Sequence, residues 1–215
     1  MQIHRANTIF GLIDVQPTFM PGGGLAVPGG DEIVPLINRL TACFDHCFAT
    51  QDWHKPNHQS FASAHPGRHP YETIDLPYGT QILWPDHGIA GSGEAMLHPD
   101  LDQTRIELVL RKGCTVELDS YSAFFENDHV TSTGLDGWLR QRGFRDLVLA
   151  GLATDFCVAW SAEDAARLGY SVTIVEDACR PIALPTSPGV TTMDEARKRL
   201  SGFGVRFIQS GELAV

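Results

Sequence analysis

The chain has 215 residues, 43% of them hydrophobic, enough to bury the core of one α/β domain. Its 16 basic and 26 acidic residues give a net charge of −10 with histidine neutral, without a basic cluster. This balance argues against nucleic acid or an anionic membrane as a partner. No apolar run approaches the ~20 residues of a membrane span, and the N-terminus lacks a signal-peptide pattern. Five scattered cysteines without a CxxC pair fit a reducing cytosol, so we expect a cytoplasmic protein.

The predicted elements alternate between strands and helices along the chain. Short apolar runs predict strands at 8–14, 46–52, 106–111, 146–150, 171–176 and 205–208. Helices are predicted at 31–40, 134–142, 158–168 and 191–200. This alternation predicts a doubly wound, mostly parallel six-stranded α/β sheet with helices on both faces, in a single domain covering 1–215. No GxGxxG follows the first strand, so a dinucleotide site lacks support.

A long stretch, 53–104, shows no convincing periodicity and is dense in Pro, Gly and His. Six of the nine histidines lie in it. Compact domains seldom carry so long an irregular segment unless it is functional. We therefore expect a metal- and substrate-binding loop region here.

Three residues in and beside this stretch have the chemistry of metal ligands. Asp52 and His54 are two apart on an extended segment, so their side chains point to the same side. His87, from a distant loop, would be a third ligand and would leave coordination positions open, as in catalytic metal sites. An Asp-x-His pair also arises by chance in surface loops, so the spacing alone is weak evidence.

Asp14, Lys112 and Cys157 each follow a predicted strand. Open α/β sheets bind ligands at the carboxyl ends of their strands, so we expect the three side chains to lie together. A carboxylate can accept the thiol proton, and an ammonium group keeps the sulfur anionic. The predicted helix N-terminus after Cys157 would also favour the thiolate. Taken singly, each residue also fits a structural role: a capping carboxylate, an exposed lysine or an inert buried cysteine.

Six segments resemble the isochorismatase-like cysteine hydrolases, and within them the nicotinamidases (pyrazinamidases). They are Leu-Ile-Asp-Val-Gln at 12–16, Asp-Trp-His at 52–54, Trp-Pro-Asp-His at 84–87, Lys-Gly at 112–113, Asp-Ser-Tyr-Ser-Ala-Phe at 119–124 and Gly-Leu-Ala-Thr-Asp-Phe-Cys-Val at 151–158. The segments are spread through nearly the whole chain and keep the family's order. One departure is Gly88 after His87, where many members carry cysteine.

The resemblance implies hydrolysis of nicotinamide, and of pyrazinamide, to the acid and ammonia through a thioester in NAD salvage. It assigns the catalytic roles to Asp14, Lys112 and Cys157. It assigns the oxyanion hole to the backbone N–H groups of Ala153 and Cys157. It also implies a cis peptide bond between Ala153 and Thr154.

The resemblance further implies one divalent metal ion, zinc first with iron or manganese as alternatives. The implied metal ligands are Asp52, His54 and His87. His58 and Ser60 are both candidates for a fourth ligand, and the sequence does not choose between them. The residues that match ring-binding positions of the family are Phe19, Trp84 and Tyr121. Such aromatic walls suit a flat heteroaromatic substrate, although each aromatic also fits ordinary core packing.

Other functions remain open at this point. A cysteine amidohydrolase of the same superfamily acting on a carbamoyl or acyclic amide would not need the three metal-type residues. A non-catalytic metal- or ligand-binding relative would be expected to lose part of the triad. A redox sensor built on Cys157 lacks an evident resolving cysteine. The expected partner is a small-molecule substrate, and the oligomeric state, a homo-oligomer included, is left open.

Overall fold

A computed structural model describes residues 6–213. It contains ten strands in chain order: β1 (Thr8–Ile13), β2 (Cys47–Asp52), β3 (Thr73–Leu76), β4 (Gly79–Ile82), β5 (Ile106–Lys112), β6 (Asp146–Leu152), β7 (Ser171–Arg180), β8 (Pro185–Ser187), β9 (Val190–Thr191) and β10 (Arg206–Ile208). The α-helices are α1 (Val34–Thr41), α2 (Leu135–Gln141), α3 (Ala159–Arg167) and α4 (Thr192–Gly202).

Six of these strands form one parallel sheet in the order β10-β7-β6-β1-β2-β5. From β1 the chain builds outward through β2 to β5, then returns to β6 on the other side and continues to β7 and β10. β1 and β2 are buried along their whole length, as expected for strands of a parallel sheet covered on both faces. The doubly wound α/β sheet predicted from the sequence is confirmed.

The two central strands, β1 and β6, meet where the strand order reverses. Open α/β sheets bind ligands outside the carboxyl ends of the strands at such a point. Ile13 pairs with Gly151 there, and a Cβ added to Gly151 would overlap the Ile13 carbonyl oxygen. Gly151 also has a φ of +128°, which L side chains rarely adopt. Glycine therefore lets the segments that carry Asp14 and Cys157 approach closely.

The helices are short, and the longest, α4, has 11 residues. Thr191 and Asp194 form a capping box at its start, which satisfies two backbone N–H groups that no carbonyl of the helix can reach. A 3₁₀ turn, Gly30–Ile33, precedes α1 and occupies the first part of the predicted 31–40 helix. Within residues 6–213 no helix is both long and apolar enough to cross a membrane.

The region 53–104 is less irregular than predicted, because β3 and β4 form an antiparallel hairpin within it. Each hairpin strand has only four residues, with polar side chains such as Thr73, Asp75 and Thr80. The side chains of β3 alternate between exposed and half-buried positions. The sequence therefore shows no apolar run and only a short apolar alternation from which to predict this strand. A second short hairpin, β8–β9, was missed for the same reason.

Candidate active site

Asp14, Lys112 and Cys157 meet at the carboxyl edge of the sheet. Asp14 follows β1, Lys112 ends β5, and Cys157 lies in a π-helical turn, Thr154–Val158, that leads into α3. Lys112 Nζ lies 2.9 Å from Asp14 Oδ2 and 3.3 Å from Cys157 Sγ. The first two side chains are completely buried, and Cys157 is 6% exposed. The lysine thus bridges a carboxylate and a thiol in a site that bulk water barely reaches.

Burial dominates the protonation of this group. It raises the pKa of Asp14 to about 6, against the opposing effect of the Lys112 ammonium. It also raises the pKa of the Cys157 thiol well above its usual range, which Lys112 lowers and Asp14 raises further. The charge of Lys112 favours the thiolate, but burial outweighs it. In the free protein the sulfur keeps its proton, and Asp14 is placed to accept it.

Lys112 also connects this group to a second carboxylate. Its ammonium forms an ion pair with Asp52 and donates to the Ser120 carbonyl oxygen at 3.0 Å. Burial lowers the pKa of Lys112, but the charges of Asp14 and Asp52 outweigh it and raise that pKa well above the ordinary value. The lysine stays charged at neutral pH.

The predicted metal ligands Asp52, His54 and His87 lie together. Their candidate ligand atoms are all within 4.8 Å of one another, and all three residues are buried. His87 Nδ1 lies 2.8 Å from the Pro85 carbonyl oxygen, which can only accept, so Nδ1 carries the proton and Nε2 keeps its lone pair. That Nε2 is 3.5 Å from Asp52 Oδ2.

His54 provides the test of whether a cation fits there. Its Nε2 lies 3.1 Å from Asp119 Oδ1, while its Nδ1 is buried without a hydrogen-bond partner among residues 6–213. A buried polar atom without a partner is costly, and a metal ion would satisfy it. Two imidazoles and a carboxylate are also a donor set that zinc and related divalent ions accept. The residues therefore fit the predicted ion.

The two candidates for a fourth ligand are hydrogen-bonded to each other. His58 Nε2 lies 2.8 Å from the Thr115 carbonyl oxygen, and its Nδ1 lies 2.8 Å from Ser60 Oγ. Because the carbonyl only accepts, Nε2 carries the proton and Nδ1 accepts from the serine. Both imidazole nitrogens are thus engaged, whereas the Ser60 oxygen keeps its lone pairs. This arrangement fits Ser60 better than His58 as a ligand.

A narrow pocket opens beside Cys157, which is one of its lining residues. Phe19, Trp84 and Tyr121, the three predicted ring-binding residues, all line it. Ala153 and the metal-type residues Asp52, His54 and His87 line it as well. Asp14 and Lys112 lie behind Cys157 and are not among the lining residues. The pocket thus brings a nucleophile, aromatic walls and a metal-type cluster into one small volume.

Comparison with known families identifies the fold. The family model described as the Isochorismatase domain matches residues 8–185. The chain belongs to the isochorismatase family.

Similar proteins within this family carry related names. A nicotinamidase of Acinetobacter baylyi is 48% identical over 204 residues, covering 95% of this chain and 93% of the relative. A solved nicotinamidase and pyrazinamidase structure of Acinetobacter baumanii matches with a TM-score of 0.94 at 46% identity, covering 98% of this chain and 99% of the other. The structure of the Pyrococcus horikoshii pyrazinamidase in complex with zinc has a TM-score of 0.73 at 27% identity, covering 94% and 99% of the two chains.

Other pocket residues of this isochorismatase-family chain were missed from sequence. Leu25, Phe156 and Ile182 complete the wall, and the Phe156 ring stands edge-on to Trp84 at 4.9 Å between centroids. Asp155 fixes the Ile182 loop by accepting the Ile182 N–H at 2.9 Å. Phe156 stands inside the Cys157 segment, where its position could have suggested a role. Leu25 and Ile182 come from loops that carry no recognisable pattern.

Two polar residues support the site without having been assigned a role from the sequence: Thr50 carried no signal, and Gln16 ends the 12–16 segment that resembles the family. Thr50 Oγ1 donates to Asp14 Oδ1 at 2.6 Å and accepts the Asp14 N–H at 3.0 Å. Gln16 and Asp52 exchange two hydrogen bonds, of 3.0 and 2.8 Å, between the glutamine amide and the Asp52 backbone. These contacts join the ends of β1 and β2, and they hold the side chain of Asp14 and the backbone of Asp52.

One detail implied by the resemblance is corrected. The cis peptide bond joins Leu152 to Ala153, not Ala153 to Thr154. The cis bond therefore lies in the peptide unit that carries the Ala153 N–H, one of the two groups assigned to the oxyanion hole. The Ala153 carbonyl oxygen accepts the Phe156 and Val158 N–H groups at 3.1 and 3.2 Å, which closes the turn that carries Cys157.

Proposed function

We propose that this chain hydrolyses nicotinamide to nicotinate and ammonia, accepts pyrazinamide as a second substrate, and acts in NAD salvage in the cytoplasm. The observation that carries the proposal is the contact of Cys157 with Lys112, beside Asp14, beneath an aromatic pocket that also holds a metal-type cluster. The nicotinamidase relatives support the same substrate class. Hydrolysis of a carbamoyl or acyclic amide would leave the buried Asp52, His54 and His87 cluster without a use.

The first half of the reaction forms a thioester. Asp14 accepts the Cys157 proton, and the Lys112 ammonium stabilises the resulting thiolate. The sulfur attacks the amide carbonyl carbon, and the carbonyl oxygen becomes an oxyanion. The N–H groups of Ala153 and Cys157 stabilise that charge, an interaction whose loss costs about 3–4 kcal/mol in comparable sites. Asp14 then protonates the leaving nitrogen, ammonia departs, and an acyl group remains on Cys157.

The second half of the reaction regenerates the enzyme. Asp14 accepts a proton from a water molecule, and the oxygen of that water attacks the thioester carbonyl carbon. The same backbone N–H groups stabilise the second oxyanion. Nicotinic acid leaves and gives its proton to the solvent to become nicotinate, and the proton on Asp14 returns to the Cys157 sulfur. One carboxyl group thus acts as base and acid in turn, for which a pKa of about 6 is well suited at neutral pH.

Substrate orientation is the task of the pocket wall and the metal-type cluster. Phe19, Trp84 and Phe156 present apolar surfaces to a flat ring. Asp52, His54 and His87 would hold one divalent ion, zinc first with iron or manganese as alternatives, with Ser60 as the candidate fourth ligand. When bound, this ion supplies a Lewis-acid contact for the pyridine nitrogen.

The test is ammonia release by the zinc-loaded protein, with elemental analysis of its metal content. We expect stoichiometric ammonia and nicotinate from nicotinamide, turnover of pyrazinamide, and little activity on an acyclic carbamoyl amine. Faster turnover of the acyclic substrate, or no turnover of either ring amide by metal-loaded protein, would contradict the proposal.

A further inference from the structure

Gln81 lies on β4 of the β3–β4 hairpin and is buried, with several hydrogen-bond partners around its side-chain amide. Its Nε2 lies 2.7 Å from the Ile82 carbonyl oxygen, 2.9 Å from Asp119 Oδ2 and 3.0 Å from Tyr121 Oη. The carbonyl and the carboxylate can only accept hydrogen bonds. The orientation of the Gln81 amide is therefore fixed, with its nitrogen toward Tyr121 and its Oε1 accepting from the Tyr78 hydroxyl at 3.1 Å.

The second neighbour of Tyr121 Oη is Trp84 Nε1, at 3.0 Å. An indole N–H only donates, and an amide nitrogen cannot accept. Neither group that contacts Tyr121 Oη can therefore take the tyrosine proton. Within residues 6–213, no other hydrogen bond involves this oxygen. The Tyr121 hydroxyl therefore accepts a hydrogen bond from the Trp84 indole N–H, and its own proton has no acceptor among residues 6–213.

We propose that Tyr121 donates a hydrogen bond to the bound substrate. Gln81 is the positioning residue that leaves the hydroxyl proton available for this bond. The inference rests on the proposed function. Tyr121 lines the same pocket as Cys157, so a substrate there can supply the acceptor. The acceptor would be the amide carbonyl oxygen or, in an amide with two ring nitrogens, the nitrogen that the metal-type cluster does not hold, so the favoured ligands are heteroaromatic amides. Burial raises the pKa of the tyrosine well above its usual range, so the hydroxyl stays protonated.

The main test compares Tyr121→Phe with Tyr78→Phe, which removes a hydroxyl from the same network on the side of Gln81 away from Tyr121. One neutral hydrogen bond corresponds to a change of about 5- to 10-fold. We expect kcat/KM for nicotinamide to fall by that factor in Tyr121→Phe, through KM with kcat nearly unchanged, because the bond already exists in the ground state. Tyr78→Phe should stay near wild type.

A double-mutant cycle tests the role of Gln81. In Gln81→Met, the Asp119 carboxylate loses a donor and competes with the substrate for the Tyr121 proton. We expect Gln81→Met to raise KM, and to raise it less in the Tyr121→Phe background, where the proton is already gone. Equal effects in both backgrounds would show that Gln81 does not act through the hydroxyl and would overturn its assignment.

Two substrates identify the acceptor. Pyrazinamide carries a second ring nitrogen, bonded to the ring carbon that bears the carboxamide group. Nicotinamide lacks this nitrogen. An equal loss for both amides in Tyr121→Phe supports a shared acceptor, and a larger loss for pyrazinamide supports the extra nitrogen. If both amides are turned over but Tyr121→Phe matches Tyr78→Phe for each, the donor assignment is wrong and the proposed function stands. If the metal-loaded wild type releases no ammonia from either amide, the proposed function itself fails.

Discussion

Replacing Thr50 by valine should shift the acid limb of the pH–rate profile to higher pH. Asp14 must be ionised to accept the Cys157 proton, so kcat/KM should fall as the pH drops through its pKa of about 6. The Thr50 hydroxyl stabilises the ionised form with a 2.6 Å hydrogen bond to Oδ1. A hydrogen bond to a charged group contributes about 2 kcal/mol, or about 1.5 pKa units.

The limb in Thr50→Val should then lie near pH ~7.5. At pH ~6.5 the variant should lose about 8-fold in kcat/KM relative to wild type, and at pH ~9 the difference should nearly vanish. Thr50→Ser, which keeps the hydroxyl, is the matched control and should follow the wild-type profile. The assay is ammonia release across this pH range. A valine variant whose acid limb coincides with that of wild type would refute the assignment of Asp14 as the base.

The remaining predictions concern the metal-type cluster and the strand ends. Chelation should abolish nicotinamide turnover, and His87→Ala should have the same effect. Iodoacetamide should still alkylate Cys157 of the chelated protein at nearly its original rate, measured by peptide mass spectrometry. If chelation slowed alkylation as much as hydrolysis, the metal would be changing the reactivity of the Cys157 sulfur. Gly151→Ala should lower the free energy of unfolding by about 3 kcal/mol or more, because its Cβ overlaps the Ile13 carbonyl. Gly137→Ala, in open space on α2, should leave thermal stability unchanged or slightly raised.

Sequence patterns predicted the sheet because its central strands are buried on both faces. Segments such as Thr8–Ile13 and Asp146–Leu152 therefore appear as continuous apolar runs between glycines and polar residues. The position of Asp14, Lys112 and Cys157 at strand ends then brought them to one edge. Their chemistry was harder to predict, since the pKa of Cys157 depends on how deeply the folded chain buries it.

The supporting residues could not be predicted in the same way. Gln81 and Thr50 are polar residues on strands whose neighbours become adjacent only in the folded chain. Ile182 enters the pocket because Asp155 holds its loop. None of these contacts leaves a periodic pattern or a local spacing along the chain. The short polar strands of the β3–β4 hairpin could not be predicted either, because few of their side chains are buried.

The central claim is that Cys157 performs the hydrolysis of a heteroaromatic amide. The most direct measurement is ammonia and nicotinate release from nicotinamide by wild type and Cys157→Ala, with metal content and circular dichroism recorded for both. We predict stoichiometric products from wild type and only the background rate from the alanine variant, with metal and fold retained. A Cys157→Ala protein that keeps a substantial fraction of the wild-type rate would contradict covalent catalysis at this cysteine.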